Sequence, residues 1–206
     1  DHLRGFIADP GLMTQIAAVH ALGDIWAMGA QPHVGLSSIV LPQMSTDLQR
    51  RTLLEITQVA TEVLSAAGAQ LVGGHTTMGA ELTIGFTVTG TKSSMPLTIV
   101  GAKHGDALIL TRPIGSGVIL AADMLGEARG RDVAATLAIM GQPQDREAAV
   151  LSKVAHAMTD VTGFGLAGHV HAICQASGLD AHLFQGAIPT YSGARALSDA
   201  GLSSTL

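Results

Sequence analysis

Apolar residues recur at helical spacing from Leu12 to Met28, through Ile16, Ala17, Val19, Leu22, Ile25 and Trp26, with Pro10 ahead and Gly29 behind as boundary signals. This pattern predicts a helix. From His33 to Leu41 the chain is rich in Val, Ile and Leu between Pro32 and Pro42, the composition of a buried strand. Ser45-Thr46-Asp47 supplies capping side chains for a long amphipathic helix reaching Ala67. A short strand follows, Gln70-Leu71-Val72, running into Gly73-Gly74-His75, and Glu81 to Thr91 alternates as a further strand.

The second half opens on a polar turn, Gly101-Ala102-Lys103-His104-Gly105-Asp106, before a predicted strand from Ala107 to Thr111. A helix is expected after Pro113-Ile114-Gly115-Ser116-Gly117, with others over Asp132–Met140 and Gln144–Ala157. Next comes the run Met158-Thr159-Asp160-Val161-Thr162-Gly163-Phe164-Gly165-Leu166-Ala167-Gly168-His169, opening a helix to Ser177. A strand near Asp180 to Phe184 and a helix near Ser192 to Asp199 complete the pattern. Strands interspersed with helices indicate an α/β (α+β) protein, and the polar turn divides it into expected domains of residues 1–104 and 105–206. No fixed-period repeat interrupts this plan.

Composition narrows the function classes. With 47% hydrophobic and 13% charged residues in a chain of 206, there is ample material for a buried core. The formal net charge is −5 and Lys and Arg nowhere cluster, which argues against a nucleic-acid surface. A bound polyphosphate would therefore need metal ions and backbone dipoles to offset its charge. No uninterrupted apolar stretch is long enough to span a bilayer, so no membrane partner is expected. Cys174 is the single cysteine, read as a buried thiol of an intracellular, cytoplasmic protein, and the eight Met residues read as core filling. The chain begins at Asp1 without an initiating Met and its tail, Gly201 to Leu206, stops without a structural reason. It reads as a fragment truncated at both ends.

Several segments have residue types suited to phosphate chemistry. Asp160 precedes a glycine-bearing turn that opens a helix, where unpaired N–H groups and partial positive charge suit phosphate oxygens and a short carboxylate can hold Mg²⁺. Asp160 can equally be an N-cap or turn former. Asp24 lies in an apolar helical stretch, and a buried carboxylate needs a metal, a cation or strong donors such as a helix end. His20 precedes it by one turn, as a metal-binding or simply hydrogen-bonded neighbour. Gly73-Gly74-His75-Thr76-Thr77 can wrap a phosphate or make a turn, and the Pro113 to Gly117 segment can form a weaker anion nest.

Taken together and in order, these segments carry a resemblance. Ala21 to Pro32, with Asp24-Ile25-Trp26-Ala27-Met28-Gly29, resembles a signature of the ATP-binding superfamily of aminoimidazole ribonucleotide synthetase, thiamine-monophosphate kinase, a hydrogenase-maturation dehydratase and selenophosphate synthetase. The run from Ala157 to His169 resembles the selenophosphate synthetase (selenide, water dikinase) family in particular, and Val72 to His75, Val88 to Gly90, Leu110 to Gly117 and Ala187 to Pro189 match in the same order.

The resemblance implies a two-domain fold, with an N-terminal sheet-forming dimerisation domain and a C-terminal α/β domain. It implies a homodimer with the ATP site completed across the interface, and a reaction of ATP, selenide and water giving selenophosphate, AMP and phosphate. Carried over, Asp24 is a magnesium and nucleotide aspartate and Asp160 a magnesium aspartate of the second domain. Asp1 falls on a Thr-Asp aspartate when Pro10 is aligned. Gly74, His75 and Thr76 match a segment contacting ATP from the partner subunit. The cysteine or selenocysteine and the lysine of the family lie before residue 1, so the fragment is expected to be inactive alone. Thr77-Met78-Gly79-Ala80 departs from the family, which often has an acidic residue there. A sibling ATP-dependent enzyme and a non-catalytic nucleotide-binding or dimerisation module are the competing readings.

Overall fold

Asp9 accepts a hydrogen bond from the Leu12 N–H at 2.9 Å and Pro10 occupies the first turn, so the predicted first helix, α1, runs Pro10–Ala27. In this computed structural model residues 1–204 are described, and they form two compact units. The first comprises Asp1–Pro96 with Met140–Lys153; the second comprises Leu97–Ile139 with the chain from Val154 onward. The expected tail residues Thr205 and Leu206 lie outside the described residues.

In the first unit the elements after α1 are β2 (Gln31–Pro42), α2 (Thr46–Ala66), β3 (Gln70–Gly79) and β4 (Thr83–Thr91). Ser45 caps α2 by accepting from the Leu48 N–H, as its sequence predicts. A short strand, β1 (His2–Arg4), precedes them; three residues are too few to leave a periodic signature. The sheet order is β1-β4-β2-β3, with β2 parallel to β3 and antiparallel to β4. Ile39, Leu41, Ile84 and Phe86 pack with Met13, Leu22 and Trp26 of α1 and Ile56, Ala60 and Leu64 of α2. Each fully buried large side chain contributes about 1.5–3 kcal/mol, so this cluster holds the unit together. A later helix, α5 (Asp145–Leu151), also packs on α1, and Gln15 Nε2 donates to Gly141 O at 2.9 Å.

One expectation is corrected within this sheet. Gly73-Gly74-His75 does not end a short strand in a turn; β3 continues through it to Gly79, paired with β2 from Gly74↔Ser37 to Gly79↔Pro42. A Cβ on Gly74 would overlap Ser37, so the glycine permits close strand approach rather than a bend. The register shift lies just before, between Gly35 and Leu36, leaving Val72 as the extra residue.

The second unit contains α3 (Ser116–Met124), α4 (Gly130–Met140, whose last residue belongs to the first unit), α6 (Gly165–Ser177), a 3-10 turn (Gln185–Ala187) and α7 (Ala194–Asp199). Ile119, Val133, Tyr191 and Ala194 form its small core. Asp132 is buried there at 6% exposure, accepting from Ser192 Oγ at 2.9 Å. The strands expected over Ala107–Thr111 and Asp180–Phe184 are not formed: among the described residues neither segment is part of the sheet, and a strand is completed only by a pairing neighbour. Leu108 and Ile109 are correspondingly exposed. The helix expected to reach Ala157 ends at Leu151, because the chain leaves the first unit after Lys153. With four paired strands and seven α-helices among the described residues, the α/β (α+β) class is borne out.

Candidate functional site

In the first unit α1 buries Met13, Thr14, Ile16 to Val19, Ala21, Leu22 and Trp26, which leaves a narrow stripe through His20, Asp24 and Met28. Asp24 is therefore exposed rather than buried: its apolar neighbours point to the packed sides and it does not. A carboxylate in the last turn of a helix faces the negative end of the dipole, an arrangement that costs local stability. Such a violation of a local rule is a pointer to function. Asp1 pairs through its backbone with Phe86, at 2.9 Å in both directions, and its carboxylate Oδ2 lies 3.8 Å from His20 Nε2. Asp1, His20 and Asp24 thus follow one side of the unit.

Gly74, His75 and Thr76 are exposed on the edge strand β3, but they do not present one face. Gly74 and Thr76 are in register with Ser37 and Ile39, the rows that include buried Phe86 and Ile84; His75 is in register with Ser38 and Gly85 on the opposite, open face. At the C-terminal end of α1, Lys92 Nζ donates to Met28 O at 3.3 Å and Gly29 O at 3.0 Å. It borders an open cavity of about 630 Å³ lined by Gly29, Gln31, Thr91, Lys92, Ser93 and Ser94. This cavity has no linear signature, since Lys92 is 63 residues from the carbonyl it meets.

In the second unit Asp160 is half-buried in a segment without regular structure. It is not an N-cap: α6 begins five residues later, at Gly165, after Phe164 and without a side-chain cap. Upstream, Met158 N–H donates to Thr98 O at 3.1 Å, and His156 Nδ1 lies 2.9 Å from both carboxylate oxygens of Asp106. Asp106 also accepts from the Lys103 N–H at 2.8 Å; that bond first, then His156, holds its carboxyl below the ordinary range. Downstream, the Gly165 N–H closes a turn onto Thr162 O at 3.0 Å, with Gly165 at φ +72°, and Thr162 N–H donates to His169 Nε2 at 3.1 Å. The His169 contact escaped the sequence reading because it depends on the turn being folded.

The Pro113 to Gly117 segment has a structural role. Ile114 N–H donates to Pro189 O and Tyr191 N–H to Ile114 O, and Gly115 at φ +103° leads into α3. Cys174 is half-buried rather than fully buried. Among the described residues no three His, Cys, Asp or Glu side chains gather around one point where a metal ion could sit, and no helix is long and apolar enough to cross a membrane.

Residues 1–92 match the family model of the AIR synthase related protein N-terminal domain, and residues 103–204 that of its C-terminal domain. The chain belongs to the AIR synthase related family, a two-domain class. Within it the sequence is similar to selenide, water dikinases: it is 34% identical to that of Pelobacter propionicus and 35% to that of Caldanaerobacter subterraneus, in each case across 98% of this chain and 58% of the relative. The chain thus spans less than two thirds of the length of these relatives. Among solved structures, thiamine-monophosphate kinase from Stenotrophomonas maltophilia has the same fold, with a TM-score of 0.80 at 20% identity, covering 98% of this chain and 69% of that one. Hydrogenase maturation protein HypE in complex with ATP gives 0.75 at 20% identity, over 93% and 58%.

Proposed function

We propose that the full-length protein containing this chain makes selenophosphate from ATP, selenide and water, releasing AMP and phosphate. The observation that carries this reading is the similarity to selenide, water dikinases along nearly the whole chain, at 34–35% identity. Solved relatives at 20% identity speak for the fold alone, so a sibling ATP-dependent activity is kept as the alternative.

Asp24 and Asp160 are the proposed Mg²⁺ ligands, with Asp1 beside His20 as a nucleotide-contacting carboxylate. Their chemistry fits: Mg²⁺ prefers oxygen donors and is usually held by one or two carboxylates together with substrate phosphates and water, so a cage of protein side chains is not required. When bound, Mg²⁺ neutralises triphosphate charge and polarises the phosphorus atoms. The exposed Asp24 is accessible to a ligand, and the first turn of α6 supplies N–H groups suited to phosphate oxygens. Gly74, His75 and Thr76, on an edge strand, are proposed to meet ATP bound by the partner subunit of a homodimer. A cytoplasmic setting supplies ATP and keeps Cys174 reduced.

The test is Asp160→Asn in the full-length protein. Its melting curve should match the parent while Mg²⁺-dependent ATP consumption with selenide falls at least about tenfold. Undiminished consumption removes Asp160 from the site. Consumption supported by thiamine monophosphate instead of selenide would favour the sibling reading, and a strictly monomeric, fully active protein in light scattering would defeat the dimer.

A further inference from the structure

The segment around Asp160 belongs to no helix or sheet, so its backbone is fixed only by specific contacts. Upstream, Met158 N–H donates to Thr98 O and Thr159 Oγ1 to Asp160 O; downstream, Thr162, two residues on, makes three more. Its carbonyl accepts from Gly165 N–H at 3.0 Å, its N–H donates to His169 Nε2 at 3.1 Å, and its Oγ1 lies 3.3 Å from the same nitrogen. The Gly165 bond is internal to the turn and moves with it. The His169 bond is different, because His169 belongs to the second turn of α6, beside buried Val170. It therefore ties the turn to α6, which is held by Val170. An Nε2 that accepts a backbone N–H is unprotonated, which places the ring proton of a neutral imidazole on Nδ1.

The geometry points to His169 as a positioning residue for Asp160: its Nε2 anchors Thr162 and so fixes where the carboxylate two residues earlier is presented. Both Nε2 contacts are to Thr162, one through its backbone N–H and one through its hydroxyl, so Nε2 acts on the turn itself. This inference rests on the proposed role of Asp160 in Mg²⁺ and nucleotide binding, and adds a residue that the role requires. The isolated features agree with it. Gly165 alone among the residues of the turn has a positive φ, which reverses the chain so that a side chain seven residues away reaches back to Thr162.

Two variants of the full-length protein separate anchoring from simple packing. His169→Gln keeps an acceptor oxygen near the position of Nε2; His169→Met keeps similar bulk without it. The Met variant should melt with the parent, expose the Thr162 amide to faster hydrogen exchange, and lose about 10–100-fold in Mg²⁺-dependent ATP turnover, as when groups supporting a metal ligand are removed. The Gln variant should recover most of that turnover. Nitrogen NMR at pH 8 should show the Nδ1–H tautomer of His169. Parent-like turnover in the Met variant, a Gln variant no better than Met, or an Nε2–H tautomer would each overturn the proposal. Undiminished turnover in Asp160→Asn would overturn the functional reading and the proposal with it. That case is recognisable, because the His169 tautomer and Thr162 protection would still be as described.

Discussion

Replacing Gly74 with alanine places one methyl group between β3 and β2, and the structure sets what it meets. Ser37 lies directly across the pair; its Oγ, carbonyl O and backbone N, the last at 2.9 Å, all fall within the space a Cβ would fill. Two of these three atoms are backbone, so no rotamer change relieves the overlap and the strands must part locally. Overpacking of this kind costs about 1–3 kcal/mol. For a chain of this size each kcal/mol moves Tm by about 2–4 °C, which gives a fall of about 2–12 °C for Gly74→Ala. Gly73→Ala is the control within the same motif. Its Cβ would meet only Leu36 Cδ2, at an ordinary 3.5 Å, so it should be neutral or raise stability by about 0.4–1 kcal/mol through loss of unfolded-state freedom. Combining Gly74→Ala with Ser37→Gly removes Oγ but leaves both backbone atoms, so less than half of the loss should return. Urea and thermal unfolding of the three variants measure this. Equal stability of Gly73→Ala and Gly74→Ala would refute the packing argument and leave ligand contact as the reason for the glycine.

Two further outcomes follow from the second unit. Asp106 is held below the ordinary aspartate value of 3.8, so its charged form stabilises the folded state fully above that value, and the contribution is lost as pH falls through the lower folded value. Urea stability followed from about pH 5 to about pH 2 should therefore decline less steeply in Asp106→Asn than in the parent, and identical slopes would contradict the assignment. Removing the buried carboxylate with Asp132→Ala breaks its bond from Ser192 Oγ, which is exposed and can turn to water, and should cost about 0.5–1.5 kcal/mol, with Asp132→Asn milder because an acceptor oxygen remains. Equal losses in the two variants would show that the Ser192 bond is not the source.

The elements legible in the sequence were those with a full period to read. For α1, α2, β2 and β4 the apolar spacing, with Pro10 and Gly29 bounding the first helix and Ser45 capping the second, agreed with burial, which is why their limits fall within a few residues of expectation. Adjacent glycines at 73 and 74 imitate a turn, because local signals do not reveal that Ser37 will lie across from them. The apolar runs at 107–111 and 180–184 satisfy strand patterning, yet a strand is completed only by a neighbour. Of the candidate site, residue types were readable while exposure was not. Asp24 looked buried because its neighbours are apolar, and only the angular position of residue 24 on α1 sets it apart. Asp160 stood out by composition, whereas the bonds on either side of it, His156 to Asp106 and Thr162 to His169, require the tertiary fold to exist.

The return of Met140–Lys153 to the first unit imposes an order on biosynthesis. When a ribosome has produced the sheet and its first two helices, the surface of α1 that receives α5 is still bare, and Gln15 has no Gly141 carbonyl to bind. At about 5–20 residues per second, the missing stretch follows roughly 3–11 s after Pro96. Throughout that interval the nascent first unit is an incomplete folding unit, lacking Ala148 against its core and the Gly141 acceptor for Gln15. A chain ending at Pro96 would remain in that state permanently.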